Sequence, residues 1–440
     1  MSEVKVNKIS PRSGTDVTLG DASDTFTIPA SATLDVNGTI DVTGATVTGL
    51  SLEDDIAILG FKVAANGSLA KYDLVDQTID AFEDASGVDA SASTNEVRNA
   101  SNYYSGISTS TSSFTADGTY SNPAGVTSVE YLVVAGGGGG GYNGGGGGGA
   151  GGYRTGNLSV TESTSYGIVV GSGGSGGGDT NTPGSDGSDS SFSTITSTGG
   201  GGGGSRANSM SGRDGGSGGG ASADSSTHGS GNTPSTTPSQ GNDGGSGSGV
   251  PHGGGGSSTA GGIGGSRNAG AGTSNDISGS SVTYATGGTG GSTGTGSDAT
   301  ANTGDGAEGG GSGTGAGGAG GSGIVIITYD LPVDVTLVSN ATTAEAEPTK
   351  GDLVLTYTNG AGTATVNTDI KGWVSRDDGT TYTQFTLADE GDTGGHTILT
   401  AHGLDISGQP SGTSMRYKIT THNQSASKTT RIQAVSLGWS

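Results

Sequence analysis

Histidines and closely spaced acidic residues are the side chains of this sequence that could support acid–base or metal chemistry. His396 and His402 are separated by five residues, and the remaining three of the five histidines are isolated from one another. Asp179, Asp186 and Asp189 share an acidic loop, but their spacing differs from that of an EF-hand calcium loop. We therefore expect solvated side chains at these positions and no metal site.

The motifs of nucleophilic catalysis and phosphate binding carry no information in this chain. Gly-x-Ser-x-Gly and Gly-x-Gly-x-x-Gly both occur by chance in a sequence with 95 glycines. Neither motif is followed by a convincing helix or belongs to a βαβ pattern. No pair of carboxylates is fixed beside a sugar cleft. The sequence predicts that the protein is not an enzyme and that it uses no cofactor.

Polar and aromatic side chains that interrupt the glycine-rich stretches are the better candidates for chemistry, as binding groups. Such residues stack on polar ligands and form hydrogen bonds with them, and turns on a rigid scaffold often carry binding residues. The same residues could instead only terminate strands. The candidate set is Tyr142, Asn143, Tyr153, Arg154, Arg206, Asn208, His228, His252, Arg267 and Asn268.

These candidates lie in a segment that has too few side chains for an ordinary core. Between Ala135 and Ile324, 72 of 188 residues are glycine, and continuous runs occur at 136–141, 144–149 and 199–204. Two interpretations remain: a disordered linker, or backbone packed directly on backbone. In the second, extended left-handed helices with three residues per turn bond to each other through amides and carbonyls.

Strand-like sequences at both ends of the glycine segment favour the ordered interpretation. Residues 129–135 and 324–329 are apolar and β-branched, and shorter segments of this kind occur at 165–170, 191–196 and 281–286. A flexible tether has no use for such strands. We predict a polyglycine II-like domain over residues 129–330, standing on a small β-sheet root.

The preceding residues predict an elongated region. Residues 1–50 alternate polar and apolar residues, which predicts a shaft of short β-repeats that pair with copies of the same chain. In residues 51–98 we predict one helix, at about 68–85, in a short trimeric coiled coil, although a single amphipathic helix is the alternative. Its seam would be Tyr72, Val75, Ile79 and Phe82, spaced three, four and three residues apart.

The other segments predict more β-structure. We interpret residues 99–128 as a linker with some strand. Residues 331–440 contain segments of strand character at regular spacing, at 333–338, 353–358, 363–366, 372–375, 382–387, 415–420 and 432–437. This pattern indicates a C-terminal β-sandwich. The fold class is therefore mainly β, in a fibrous assembly of identical chains.

Charge and composition exclude several kinds of partner. The formal net charge is −24, which repels nucleic acid and anionic membranes, although solubility alone would explain it. Cysteine is absent, so no disulfide is expected. No secretory signal is visible at the start, and no apolar run reaches the length of a membrane span.

Several segments resemble tail-fibre proteins of bacteriophages, particularly marine podovirus-like phages. The opening Lys-Val-Asn-Lys-Ile-Ser-Pro-Arg at 5–12 and Thr-Phe-Thr-Ile-Pro at 25–29 are similar to their N-terminal repeats. Segments 58–72 and 92–99 are similar to a stretch common in these fibres. The Tyr-Leu-Val-Val-Ala entry at 131–135 and the Gly-Ser-Gly-Ile-Val-Ile-Ile exit at 321–327 resemble the glycine-rich domain of fibres and adhesins.

The resemblance implies a parallel homotrimer, made in the host cytoplasm and assembled into the virion. Its N-terminus would attach to the phage tail, baseplate or an adaptor protein. Its distal parts would bind a host cell-surface glycan or outer-membrane protein through turns between polyglycine II strands. The chain differs from glycine-rich adhesin tips in having a further domain after the glycines. Alternatives are a tailspike-type polysaccharide depolymerase, a non-viral bacterial surface adhesin and an ice-binding protein.

Overall fold

The computed structural model describes residues 71–74, 76–178, 182–206 and 210–440. Within these ranges the regular structure consists of β-strands without any helix, and the paired strands are antiparallel. No helix suited to crossing a membrane is present in the described part of the chain. The mainly-β prediction is confirmed. The shaft predicted for residues 1–50 lies outside the described residues.

The strands fall into a first group up to the end of the glycine segment and a second group after it. The first group is β1 (Lys71–Leu74), β2 (Gln77–Asp80), β3 (Glu96–Asn99), β4 (Tyr103–Phe114), β5 (Gly118–Ser121), β6 (Ser128–Val134), β7 (Tyr153–Ser159), β8 (Ser165–Val169), β9 (Ser190–Phe192), β10 (Ile195–Ser197), β11 (Thr273–Asn275) and β12 (Val282–Tyr284). The second group is β13 (Ile324–Pro332), β14 (Thr336–Val338), β15 (Thr342–Thr343), β16 (Lys350–Ala361), β17 (Ile370–Ser375), β18 (Thr383–Gln384), β19 (Ala388–Thr393), β20 (His396–Asp405), β21 (Ser414–Thr421) and β22 (Thr429–Trp439).

The helix predicted over residues 68–85, and with it the coiled coil, is wrong where the structure describes these residues. Strands β1 and β2 form a hairpin in which Tyr72 is opposite Ile79. Asp76 lies in the turn with φ of 60°, a left-handed conformation that Asp adopts more readily than most residues. Val75 lies outside the described residues.

Two of the predicted seam residues, Ile79 and Phe82, instead contribute to a core within the chain. Ile79 is buried on β2, which pairs with β22 near the C-terminus. Phe82 is fully buried and packs edge-on against Tyr104, with ring centroids 4.9 Å apart. Burial against β22 and Tyr104 therefore replaces the burial that a helix seam would have supplied.

The C-terminal residues form two sheets around one core. Strands β19, β20, β16 and β22 lie in one sheet, and β14, β21, β17 and β18 lie in the other. Alternate residues point inward, as in β21, where Met415, Tyr417 and Ile419 are buried. The segment 363–366, expected to be a strand, contains none.

Strand β4 joins this region to the root of the glycine segment. Its first half pairs with β3 and contacts β22, where Tyr104 is opposite Ile432. Its second half pairs with β13, which also pairs with β6. One sheet of eleven strands therefore runs from the C-terminal core into the root. Residues 99–128, predicted as a linker with some strand, contain β4 and β5.

The root of the glycine segment consists of β4, β13, β6 and β7 and of the small sheet that contains β8. Two apolar clusters support it. Phe192, Val133 and Ile327 belong to one cluster, together with the small sheet formed by β10, β9, β8 and β5. Leu132, Ile326 and Tyr284 belong to the other. The strands that open and close the glycine segment therefore have apolar side chains on both faces, which fixes where the glycine runs begin.

Candidate functional site

The glycine run 136–141 is buried at the centre of a lattice of extended runs. Its successive amides donate to three neighbours in rotation, returning to the same neighbour every third residue, at N···O distances of 2.8–3.0 Å. Its carbonyls accept from three more neighbours with the same period. The amides of run 136–141 donate to runs 184–188, 317–321 and 145–152. Its carbonyls accept from runs 171–177, 199–204 and 304–310.

A second run, 145–152, is surrounded in the same way. It shares hydrogen bonds with run 136–141, and five further neighbours complete its surroundings. These are runs 198–204, 217–220, 252–255, 288–291 and 304–310. Fixing a glycine backbone costs about 1–2 kcal/mol per residue, which leaves little margin for unpaired backbone groups. Every amide of runs 136–141 and 145–152 accordingly has a partner.

Glycine is required in these runs because neighbouring backbones lie where a side chain would be. A Cβ built on Gly138 would overlap the carbonyl oxygen of Gly201, and one on Gly148 would overlap that of Gly138. In both cases the obstructing atom belongs to the backbone and accepts a lattice hydrogen bond, so it cannot move without breaking the lattice.

Turns at the end of the lattice far from the root form one connected layer. Run 136–141 leaves β6 and run 145–152 returns to β7, its partner in the root sheet, so the intervening turn lies away from the sheet. Successive runs alternate in direction, and further turns lie at the same end. We call these the distal turns; they are 142–144, 205–206, 222–226, 246–250, 263–266, 292–295 and 311–314.

The distal turns are tied together by hydrogen bonds from one turn to the next. The Ala223 amide donates to the Gly144 carbonyl, and the Gly249 amide donates to the Ala223 carbonyl, both at 3.0 Å. On the other side, the Gly313 amide donates to Oδ1 of Asn143 at 2.8 Å. The turns therefore hold fixed positions relative to one another, as a binding surface requires.

Comparison with known proteins identifies the family of this lattice. A family model described as "Glycine-rich domain" matches residues 109–330, which is half of the chain. The chain belongs to the glycine-rich domain family. Neither curated proteins nor solved structures include a match to this chain.

The first and last residues of the glycine-rich domain are paired across two neighbouring strands. Thr109 on β4 lies directly opposite Asp330 on β13, and the Thr109 hydroxyl donates to the Asp330 carboxylate at 2.6 Å. The chain therefore enters the domain on β4 and leaves it on β13, and these two strands are neighbours in one sheet.

The structure places part of the predicted binding set on or beside the distal turns of the glycine-rich domain. Tyr142 is buried and Asn143 is half-buried in the first turn. Arg206 forms an ion pair with Asp224 of a neighbouring turn, at 2.9 Å. Arg267 and Asn268 are exposed immediately after the turn at 263–266.

The other predicted binding residues lie elsewhere. Tyr153 and Arg154 are on β7 in the root, where the Tyr153 hydroxyl accepts from Asn275 and Arg154 donates to the Thr196 carbonyl. His228 is half-buried, with Nδ1 2.9 Å from the Gly229 carbonyl. His252 is fully buried in the lattice. Asn208 lies outside the described residues.

Ile263 is a distal-turn residue that sequence reasoning missed. It is 72% exposed, the most exposed of the large apolar side chains described. Gly264 and Gly265 follow it in left-handed conformations, with φ of 58° and 81°. The signal in the sequence was an isoleucine between two pairs of glycines, because neighbours without side chains cannot bury an apolar residue.

Acidic residues of the predicted loop serve the lattice instead of a metal. Asp186 accepts from the Gly202 amide at 2.9 Å, and Asp189 accepts from the Gly199 amide at 2.8 Å. Asp186 also pairs with Arg213 at 2.8 Å. Across the described ranges, no three His, Asp or Glu side chains are grouped closely enough to hold a metal ion. Asp179 lies outside the described residues.

His252 is the one buried imidazole whose ring nitrogens both lack a hydrogen-bond partner among the described residues. The Gly247 backbone passes so close that a Cβ there would lie 2.6 Å from Nε2. Burial lowers the pKa of His252 below 6.5, because the buried ring has no partner for a second proton. The folded lattice therefore holds the neutral ring, whereas the unfolded chain binds a proton below about pH 6.5.

Acid is accordingly expected to destabilise the glycine-rich domain through His252. As pH falls below 6.5 the unfolded state gains a proton first, so the free energy of unfolding drops by at most about 1.4 kcal/mol per pH unit. His252→Leu should flatten the change in melting temperature between pH 7.5 and 5.5 more than His228→Gln does, because His228 is only half-buried. An unchanged pH dependence in His252→Leu would contradict this role.

Proposed function

We propose that the protein is a structural, receptor-binding subunit of a phage tail fibre, and that it acts without catalysis. It would assemble as a homotrimer, with its N-terminal residues attached to the tail, baseplate or an adaptor. The distal turns would contact a host-surface glycan or outer-membrane protein. Resemblance of the sequence to tail fibres and membership in the glycine-rich domain family support this proposal.

The single observation that carries the proposal is the hydrogen-bonded layer of distal turns. A polyglycine II-type lattice would give these turns a rigid support, so that binding orders little additional chain and costs little entropy. Exposed Ile263, Arg267 and Asn268 supply one apolar and two polar contacts within six residues. This combination suits a partner that offers both apolar and polar groups.

Trimerisation would allow each of these contacts to be weak. Three copies of a surface engaged together raise the avidity well above the affinity of one copy. The net charge of −24 makes nucleic acid an unsuitable partner. A virion location follows from the same proposal.

The proposal is tested with the full chain, fluorescently labelled and titrated onto whole cells from a panel of marine bacteria. Arg267→Ala and Ile263→Ser should each weaken binding to a recognised strain by about tenfold or more, the effect of one lost contact of about 1.4 kcal/mol. Val169→Ser is the matched control, because Val169 is also exposed and apolar but lies on β8 in the root.

Two outcomes would count against the proposal. The first is equal loss of binding in Val169→Ser and in the distal-turn variants. The second is a monomeric mass for the full chain in sedimentation experiments, because the avidity argument needs three linked copies.

A further inference from the structure

The outer face of the sheet formed by β14, β21, β17 and β18 carries a tryptophan and a lysine as direct neighbours. Trp373 on β17 is paired with Lys418 on β21. The residues flanking each of them along the strands, such as Val374 and Tyr417, are buried in the core. Trp373 and Lys418 therefore face away from the core, and both are partly exposed.

The Lys418 ammonium is held between two aromatic rings. Its Nζ lies 4.6 Å from the centroid of the Trp373 ring and 4.0 Å from that of Tyr382. In the described part of the chain it has neither a carboxylate partner nor a hydrogen-bond acceptor. The faces of aromatic rings stabilise a cation by about 0.5–2 kcal/mol. They do not replace acceptors for the three hydrogen bonds that a lysine ammonium can donate.

A neighbouring cation on the same strand shows the contrast. Arg416, two residues before Lys418, donates to Asp89 at 2.7 Å and to Asp378 at 2.6 Å. Its charge is therefore balanced within the chain. Partial burial lowers the pKa of Lys418, in keeping with an ammonium that has lost water without gaining an anion.

Polar groups surround the two rings. The Trp373 indole donates to the Thr420 hydroxyl at 3.4 Å, and Lys371 is paired with Thr420 across the strands. On the other side, exposed Gln384 is paired with Trp373. An aromatic ring bordered by an amide, a hydroxyl and two lysines can contact a sugar ring by its face and its hydroxyls by hydrogen bonds.

We propose that this outer face binds a polysaccharide bearing carboxylate groups, with a carboxylate on Lys418 and the apolar face of a sugar ring on Trp373. Charge complementarity selects this occupant, because among the described residues neither Lys418 nor Lys371 has a carboxylate partner, and both lie on one face of the sheet. Since the net charge of −24 repels polyanions at a distance, the gain comes from the ion pair at contact. The site is separate from the distal turns and does not depend on the proposed function.

The test uses calorimetric titration of the full chain with polygalacturonate and with its fully methyl-esterified form, which has the same sugar rings without the charge. The wild type is expected to bind polygalacturonate, and to bind the ester at least tenfold more weakly. Lys418→Gln should lose about tenfold in affinity for polygalacturonate. Lys350→Gln removes the same charge from an exposed position on β16 and should stay within twofold of the wild type.

Trp373→Ala provides the second arm, with a loss of binding of tenfold or more. Near-ultraviolet circular dichroism from buried Trp439 reports whether each variant is folded. Equal affinity of the wild type for polygalacturonate and its ester would overturn the proposal. So would unchanged binding in folded Lys418→Gln, or no binding of polygalacturonate by the wild type.

Discussion

Replacing Gly148 by serine is expected to unfold the glycine-rich domain. Its amide donates to Ala307 at 2.9 Å, and its carbonyl accepts from Gly288 at 2.8 Å. A new Cβ would collide with the Gly138 carbonyl of the other central run. Relief of that collision requires separating runs that each supply hydrogen bonds to several others, so we expect a loss of more than about 4 kcal/mol in the free energy of unfolding.

Gly167→Ser is the matched control, because Gly167 lies on β8 in the same domain and a Cβ there would meet no atom within 4 Å. It should change the free energy of unfolding by less than about 1 kcal/mol. Thermal unfolding and amide hydrogen exchange of the full chain measure both variants. Fast exchange throughout run 136–141 of the wild type, or equal stability of the two variants, would contradict the lattice.

Arg376→Met is expected to destabilise the C-terminal core by about 3–5 kcal/mol. Arg376 is only 4% exposed. Its guanidinium donates to the carbonyls of Pro348, Ser407, Gln409 and Pro410 at 2.6–3.1 Å. Methionine preserves the length of the side chain but leaves these acceptors without a donor, and each buried unpaired group costs about 1–3 kcal/mol.

Arg431→Met is the control for Arg376→Met, because it removes a positive charge without removing these four hydrogen bonds. Arg431 contacts the Tyr103 ring, with its Cζ 5.1 Å from the ring centroid. Loss of that partly exposed contact should cost no more than about 1 kcal/mol. Denaturant unfolding of the two variants gives the comparison. Similar midpoints for Arg376→Met and Arg431→Met would show that the four carbonyls do not depend on Arg376.

Strands of strong apolar character could be predicted from the sequence, because their side chains alone determine their burial. The predicted entry and exit, 129–135 and 324–329, correspond to β6 and β13, and these two strands are paired. The segment 191–196 was predicted as one strand. It is a hairpin, because Ser193 adopts φ of 52° in the turn between β9 and β10.

The helix was predicted wrongly because a periodicity of apolar residues does not report the partner that buries them. Ile79 and Phe82 fit a heptad, yet their partners β22 and Tyr104 come from later segments of the chain. A turn at Asp76 is compatible with the hairpin and not with a helix. Pairing with a strand more than 350 residues away is not encoded in the local pattern.

The period of the lattice is present in the sequence. In run 171–177, the buried positions Gly171, Gly174 and Gly177 alternate with exposed Ser172 and Ser175 at a spacing of three. This is the spacing expected of a helix with three residues per turn and one face exposed. The distal layer was harder to predict, because which turns are neighbours depends on how the runs are arranged across the lattice.

The pairing of Thr109 with Asp330 has a consequence for how such chains diversify. A domain whose two ends are paired neighbours in one sheet occupies the place of a simple hairpin loop. The whole domain could therefore be exchanged for a longer, shorter or differently tipped version without altering the strands on either side. Because runs are added in outgoing and returning pairs, each such addition would contribute one new turn to the tip while leaving the base unchanged.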